Sequence, residues 1–130
     1  MAGCERFDGL TVVESGNWQF FAGLCGCAAD KLASAGNVAA YEVSLNCKSA
    51  GAFFLIWRDT GAELHTELFE NCHGKFALAA FRALCGLLKE RGVSRLTTWA
   101  ENRRVRLACR IAGFRECATE PGKTYFEKLL

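Results

Sequence analysis

The sequence predicts one α/β (α+β) domain: a mixed, strongly twisted sheet flanked by helices on both faces. Three observations carry that prediction. The chain of 130 residues has the length of one ordinary domain and can bury about two-thirds of its unfolded surface. Its hydrophobic rhythm changes repeatedly between the two-residue period of strands and the helical period of about 3.6 residues. Three strand-like runs follow one another across short polar turns, as in an antiparallel meander. The predicted order is β-α-β-β-β-α-β-α-β-β over residues 1–130, and no second folded domain is expected.

Leu10-Thr-Val-Val-Glu14 is a short β-rich run closed by Ser15-Gly-Asn17. Asn17 or Ser15 can cap a helix whose apolar residues, Trp18, Phe21, Leu24, Ala28 and Leu32, recur every three or four positions. Gly36 supplies its stop. Residues 38–45 alternate loosely, residues 52–57 are continuously apolar, and residues 63–69 alternate cleanly. Turn residues at 46–51 and 59–61 separate them. In the third run Glu63, His65 and Glu67 share one face, with Leu64, Thr66 and Leu68 on the other. The helical period returns over residues 75–91, where Phe76, Ala80, Leu84 and Leu87 align. Gly92 follows as a C-terminal cap, behind Lys89 and Arg91, which suit the helix's negative end. Residues 95–99 form a buried-type strand. Asn102 caps a helix that reaches Ala112 and stops at Gly113. Residues 114–118 and 124–129 close the chain as a hairpin through Pro121-Gly122. Trp18, Trp57 and Trp99 fall on apolar faces and read as core.

Charge divides the chain. Residues 1–70 carry 4 Lys/Arg against 9 Asp/Glu, and residues 71–130 carry 12 against 5, so a net charge of +2 conceals halves of −5 and +7. An anionic ligand is therefore expected in the second half. No apolar run approaches the roughly 18–20 residues of a membrane span. The first residues lack the basic start and apolar stretch of a secretory signal, and Gly3 is not placed for myristoylation. The cysteines, Cys4, Cys25, Cys27, Cys47, Cys72, Cys85, Cys109 and Cys117, read as free thiols in a reducing, cytoplasmic setting. No metal site is expected. The closest pair, Cys25-Gly-Cys27, lacks zinc-ligand spacing, and on a helix its sulfurs point about 200° apart.

The segment from Lys89 through Arg95-Leu-Thr-Thr-Trp99, Glu101-Asn102 and Gly113-Phe114 to Glu116 resembles the second half of the GNAT acyltransferase superfamily. The order of elements upstream matches too, so the resemblance covers nearly the whole chain and is strongest over residues 63–116. Glu63-Leu-His-Thr66, followed by His73-Gly-Lys75 and an alanine-rich helix, looks most like GNAT-like proteins of tailed bacteriophages, some of whose relatives are virion proteins. The resemblance implies an acetyl-CoA-dependent N-acetyltransferase acting on an amine, or a phage-type scaffold that contacts a virion or host protein. It further implies that the coenzyme lies where the strands at Glu63–Phe69 and Arg95–Trp99 part. Phe69 and Asn102 would then stand beside the pantetheine, and His73, Gly74, Lys75 and Phe76 beside the pyrophosphate. A helix N-terminus offers unsatisfied donors and a positive dipole, so it holds a phosphate without a special side chain.

Two departures from the family pattern stand out. Its pyrophosphate loop, Arg/Gln-x-x-Gly-x-Gly/Ala, falls on His73-Gly-Lys-Phe76-Ala-Leu78, so Phe76 and Leu78 replace small residues that admit the phosphate. Its general-acid tyrosine falls on Cys109, either a thiol donor or a packing residue. Amine acylation also needs a base. Glu63, His65 and Glu67 are the candidates, and the same three residues also fit a plain solvent-facing strand; imidazole is intrinsically best suited to the task. Arg103, Arg104, Arg106 and Arg110 form a basic helix that faces solvent, coenzyme phosphate or an acidic partner. Nucleic acid is not expected, because no recognition motif accompanies the charge. The acceptor cannot be read from residues 15–36, whose apolar side chains suit a closed acceptor side or a dimer surface; monomer and homodimer both stay open.

Overall fold

The computed structural model describes residues 9–26, 29–59 and 61–130. Seven strands make one sheet: β1 (Leu10–Glu14), β2 (Val38–Leu45), β3 (Lys48–Arg58), β4 (Gly61–Leu68), β5 (Arg95–Ala100), β6 (Arg115–Glu120) and β7 (Lys123–Leu129). The helices are α1 (Trp18–Cys25), α2 (Ala29–Ser34), α3 (Lys75–Glu90) and α4 (Arg103–Ile111). The strand order is β1-β2-β3-β4-β5-β7-β6. Among the described residues, only β4 and β5 pair in parallel. The mixed sheet with helices on both faces therefore stands.

One predicted element is corrected. The helix expected to run through residues 18–32 is two helices, giving β-α-α-β-β-β-α-β-α-β-β. Gly26 takes φ +74 and its N–H closes on the Ala22 carbonyl at 2.9 Å, which ends α1. Ala28, expected on the helical face, lies outside the described residues, as do the side chain of Leu32 and residues Cys4 and Cys27. Asn17 makes no side-chain cap; the Ser15 hydroxyl instead accepts the Asn17 N–H at 3.1 Å.

The two faces of the sheet carry separate cores, because alternate residues of each strand point oppositely. Tyr41, Val43, Phe53, Leu55 and Leu64 pack with Phe81, Leu84 and Leu88 of α3 and Cys109 of α4. Ala40, Ala52 and Phe54 pack with Phe21 of α1 on the other side. Both long helices downstream close with the paired 6→1 and 5→2 bonds that satisfy terminal carbonyls. Val93 and Gly92 donate to Leu88 and Lys89, and Phe114 and Gly113 donate to Cys109 and Arg110, all at 3.0 Å.

What positions the site is the contact between β4 and β5. They pair only at Ala62↔Leu96 and Glu63↔Thr97. At that end they approach closely enough that a Cβ on Gly61 would collide with the Arg95 carbonyl. Each strand is meanwhile held along its length by its antiparallel neighbour, β4 by β3 and β5 by β7. The parallel edge can therefore open beyond Glu63 without unravelling the sheet. Thr98 Oγ1 donates to the Leu64 carbonyl at 3.0 Å, satisfying one backbone acceptor that the lost ladder would leave exposed.

Candidate active site

A cleft of about 790 Å³ lies where β4 and β5 part. One wall is β4 from Leu64 to Leu68, with Thr98 and Trp99 of β5 opposite. Helical spacing turns Val105, Ala108 and Cys109 of α4 and its C-cap residue Ala112 to one side, and all four line the cleft. Phe53, Phe81 and Phe114 complete a largely apolar interior.

The first turn of α3 forms the cleft's polar end. Gly74 sits at φ 57, ψ −125, a conformation that side-chain-bearing residues rarely adopt. No side chain caps this helix and no acidic residue occupies its first turn. Gly74, Lys75 and Ala77 line the cleft. Backbone donors and helix dipole thus coincide at one place, the conditions for holding an anion; the Lys75 ammonium stands 5.5 Å from the Phe76 ring centroid, and the Phe76 N–H is bonded to the His73 carbonyl at 3.1 Å. The structure also separates the two bulky residues of this loop. Phe76 turns away and packs against the larger core, whereas Leu78 lines the cleft.

The opposite end of the cleft carries a carboxylate–imidazole pair. His65 Nε2 lies 2.7 Å from Glu63 Oε2, since residues two apart on a strand share a face. Arg58 Nη2 reaches the other Glu63 oxygen at 3.3 Å, and its side chain is 55% exposed, so that ion pair contributes at most about 1 kcal/mol. The His65 ring meets the Trp99 ring edge to face at 4.7 Å between centroids. In the tautomer with the proton on Nε2, Glu63 accepts it and Nδ1 is left as a base. Glu67 lines the same cleft but is exposed. Cys109 lies buried in its wall, and burial pushes its thiol above the ordinary range, so it stays protonated at neutral pH.

A second cavity of about 540 Å³ shares Thr98 and Trp99 with the first. Glu63 lines it, together with Arg58, Arg95, Lys123, Cys117 and Tyr125. The Tyr125 hydroxyl donates to Glu120 Oε1 at 2.6 Å, and this bond, partial desolvation and the charges of Glu120 and Glu63 raise its pKa.

Of the residues expected at the site, His65, Glu67, Cys109, Gly74 and Lys75 meet around one cleft, and Glu63 reaches it through His65. The other four lie outside it. Phe69 falls after β4, with its N–H on the Ala50 carbonyl at 2.9 Å and its ring against Phe20. His73 is exposed just outside α3. Phe76 belongs to the core. Asn102 Oδ1 is spent on the Val105 N–H at 2.9 Å, as a cap. Arg103 and Arg104 are exposed, and Arg110 pairs with Glu116 at 3.3 Å. Trp99, expected in the core, is the wall common to both cavities. Thr98, Lys123 and Tyr125 were not anticipated. Only the pairing Trp99↔Tyr125 between distant segments assembles that wall, and no local pattern signals it.

Among the described residues, no group of three His, Cys, Asp or Glu side chains is set to hold a metal ion, and no helix is long and apolar enough to cross a membrane. No protein-family model matches the sequence, and no curated protein does. Solved structures do match in fold. The spermidine/spermine N-acetyltransferase SpeG from Vibrio cholerae aligns with a TM-score of 0.72 over 93% of this chain and 92% of that one, at 17% identity. An IAA acetyltransferase from Bacillus cereus aligns with a TM-score of 0.70 over 93% and 99% of the two chains, at 15% identity. The N-acetyltransferase PseH from Campylobacter jejuni, in complex with acetyl coenzyme A, gives 0.65 over 78% and 74%, at 12% identity. At such identities the likeness is one of fold, and the fold is that of the GNAT N-acetyltransferases.

Proposed function

We propose that the chain is an acyl-CoA-dependent N-acetyltransferase. The observation that carries this reading is the parting of β4 and β5 beside an α3 N-terminus that no side chain caps. Bound acetyl-CoA would supply a thioester carbonyl open to attack by an amine. Gly74, Lys75 and Ala77 would hold its phosphates through first-turn N–H groups and the lysine ammonium. The apolar face of α4 would exclude water from the thioester end. An amine arrives as ammonium and must lose a proton before it can attack. His65 takes that proton, and Glu63, 2.7 Å away, stabilises the imidazolium as it forms. Cys109 lies in the wall as a protonated thiol, able to donate to a departing thiolate. The acceptor would enter from the second cavity, across Trp99. Free thiols at Cys47, Cys72, Cys85, Cys109 and Cys117 favour a reducing compartment such as the cytoplasm.

Isothermal titration with acetyl-CoA tests the first requirement, and saturable binding is the expected result. An absence of heat at millimolar ligand would sink the enzyme reading. It would leave the second one: a GNAT scaffold of the phage-encoded type, kept for contact with a virion or host protein. Leu78 favours that alternative, because it narrows the cleft where the family's loop has a small residue.

A further inference from the structure

We infer that the acceptor is a small amine that also carries an anionic group, held by Lys123. The inference rests on the acyltransferase reading for the location of the reacting amine, and on the second cavity for the rest. Three cations line that cavity, Arg58, Arg95 and Lys123, against one carboxylate, Glu63. Two of the cations are locally compensated. Arg95 donates to Glu127 at 2.9 Å, and Arg58 lies 3.3 Å from Glu63. Lys123 differs from both. Its ammonium sits 5.0 Å from the centroid of the Trp99 ring and forms no ion pair among the described residues. An aromatic face attracts a cation but does not neutralise it, and the carboxylate opposite Lys123 in the ladder, Glu120, accepts the Tyr125 hydroxyl at 2.6 Å and makes no ion pair with the lysine, whose charge is left for a ligand.

The arrangement places opposite signs on either side of one indole ring. On one side Trp99 meets His65, which Glu63 holds; on the other it meets Lys123. An acceptor lying across Trp99 therefore presents its ammonium to the Glu63–His65 pair and its anion to Lys123. A polyamine in the same place brings a second positive charge against Lys123, the cavity cation that forms no ion pair among the described residues.

The test uses the full chain and four amines: γ-aminobutyrate, phosphoethanolamine, γ-aminobutyramide and spermidine. Binding is measured by calorimetry with and without coenzyme A, and acetylated product by mass spectrometry. The two anionic amines are expected to bind about tenfold tighter than the neutral amide, the scale of one charge-assisted contact. Lys123→Gln erases that preference and Lys123→Arg keeps it. Tighter binding of either the carboxylate or the phosphate supports the inference and identifies the anion. Anionic amines that bind through Lys123 while none of the four amines is acetylated overturn the acyltransferase reading, and with it the assignment of the bound amine as acceptor. Equal binding of all four amines, or preferential acetylation of spermidine or the amide, overturns the inference; any product formed leaves the acyltransferase reading standing.

Discussion

The N-termini of α3 and α4 face the same problem and solve it differently. Each leaves backbone N–H groups without partners inside the helix. In α4 the sequence supplies the answer: Asn102 Oδ1 accepts the Val105 N–H at 2.9 Å. In α3 the capping position is Gly74, which has no side chain to offer, and its φ of 57 turns the chain sharply into the helix. The start of α4 spends a side chain on its own backbone, whereas the start of α3 bonds the Phe76 N–H back to the His73 carbonyl, at 3.1 Å, and turns Gly74, Lys75 and Ala77 toward a cleft. On the proposed reading, the difference separates a helix start that serves packing from one that serves a ligand.

The largest effect expected is on the ligand. Lys75→Glu should weaken coenzyme A binding by about tenfold or more, because it replaces a cation with an anion where the phosphates would lie; calorimetry reads the change. Gly74→Ala should cost about 1–3 kcal/mol of stability in a urea titration, since alanine must adopt a glycine conformation. No atom lies within 4 Å of the added Cβ, so the loss is one of backbone strain rather than collision. Asn102→Ala should cost about 1 kcal/mol in the same titration, the usual value of a lost cap, and leave coenzyme affinity unchanged. An equal loss of affinity from this variant would erase the contrast between the two helices.

The faces that these helices turn inward should behave alike. Burial pushes the Cys85 thiol of α3 up to about 11 from an ordinary 9.0, against a smaller lowering by Lys128, and raises Cys109 of α4 in the same direction. A thiol that ionises later in the folded chain stabilises it below the unfolded value, and that contribution is lost as pH rises through the folded one. Melting temperature should therefore fall between pH 9 and about 11, and Cys85→Ala should flatten the fall. The smallest effect returns to Lys75→Glu, which should stabilise α3 by about 0.3–1 kcal/mol through the helix dipole. A substitution that strengthens the helix while weakening the ligand would set the two functions of this terminus apart.

The order of strands and long helices was legible because each depends on local pattern. Asn102, through its side chain, and the glycines at 92 and 113, through their backbone, mark helix ends by hydrogen bonds only a few residues long. The break at Gly26 was not legible, because apolar spacing continues across it while the backbone does not. Nor could the sequence separate Phe76 from Leu78. Both are apolar and two positions apart, and only the packing of α3 on the sheet decides which meets the core and which the cleft. The Glu63–His65 pair was legible as a shared strand face. Its neighbours Trp99, Lys123 and Tyr125 were not, since the pairing of β5 with β7 brings them together from separate parts of the chain.

The central claim is that α3, and not α4, offers its open N-terminus to the coenzyme. Backbone amide resonances followed during titration with coenzyme A test it residue by residue, and a 14.3 kDa chain suits the measurement. The account predicts that the amides of Gly74, Lys75 and Ala77 shift saturably and by more than those of Arg103 and Arg104. Shifts confined to the α4 terminus, or no shift in the first turn of α3 at saturating coenzyme, would contradict it.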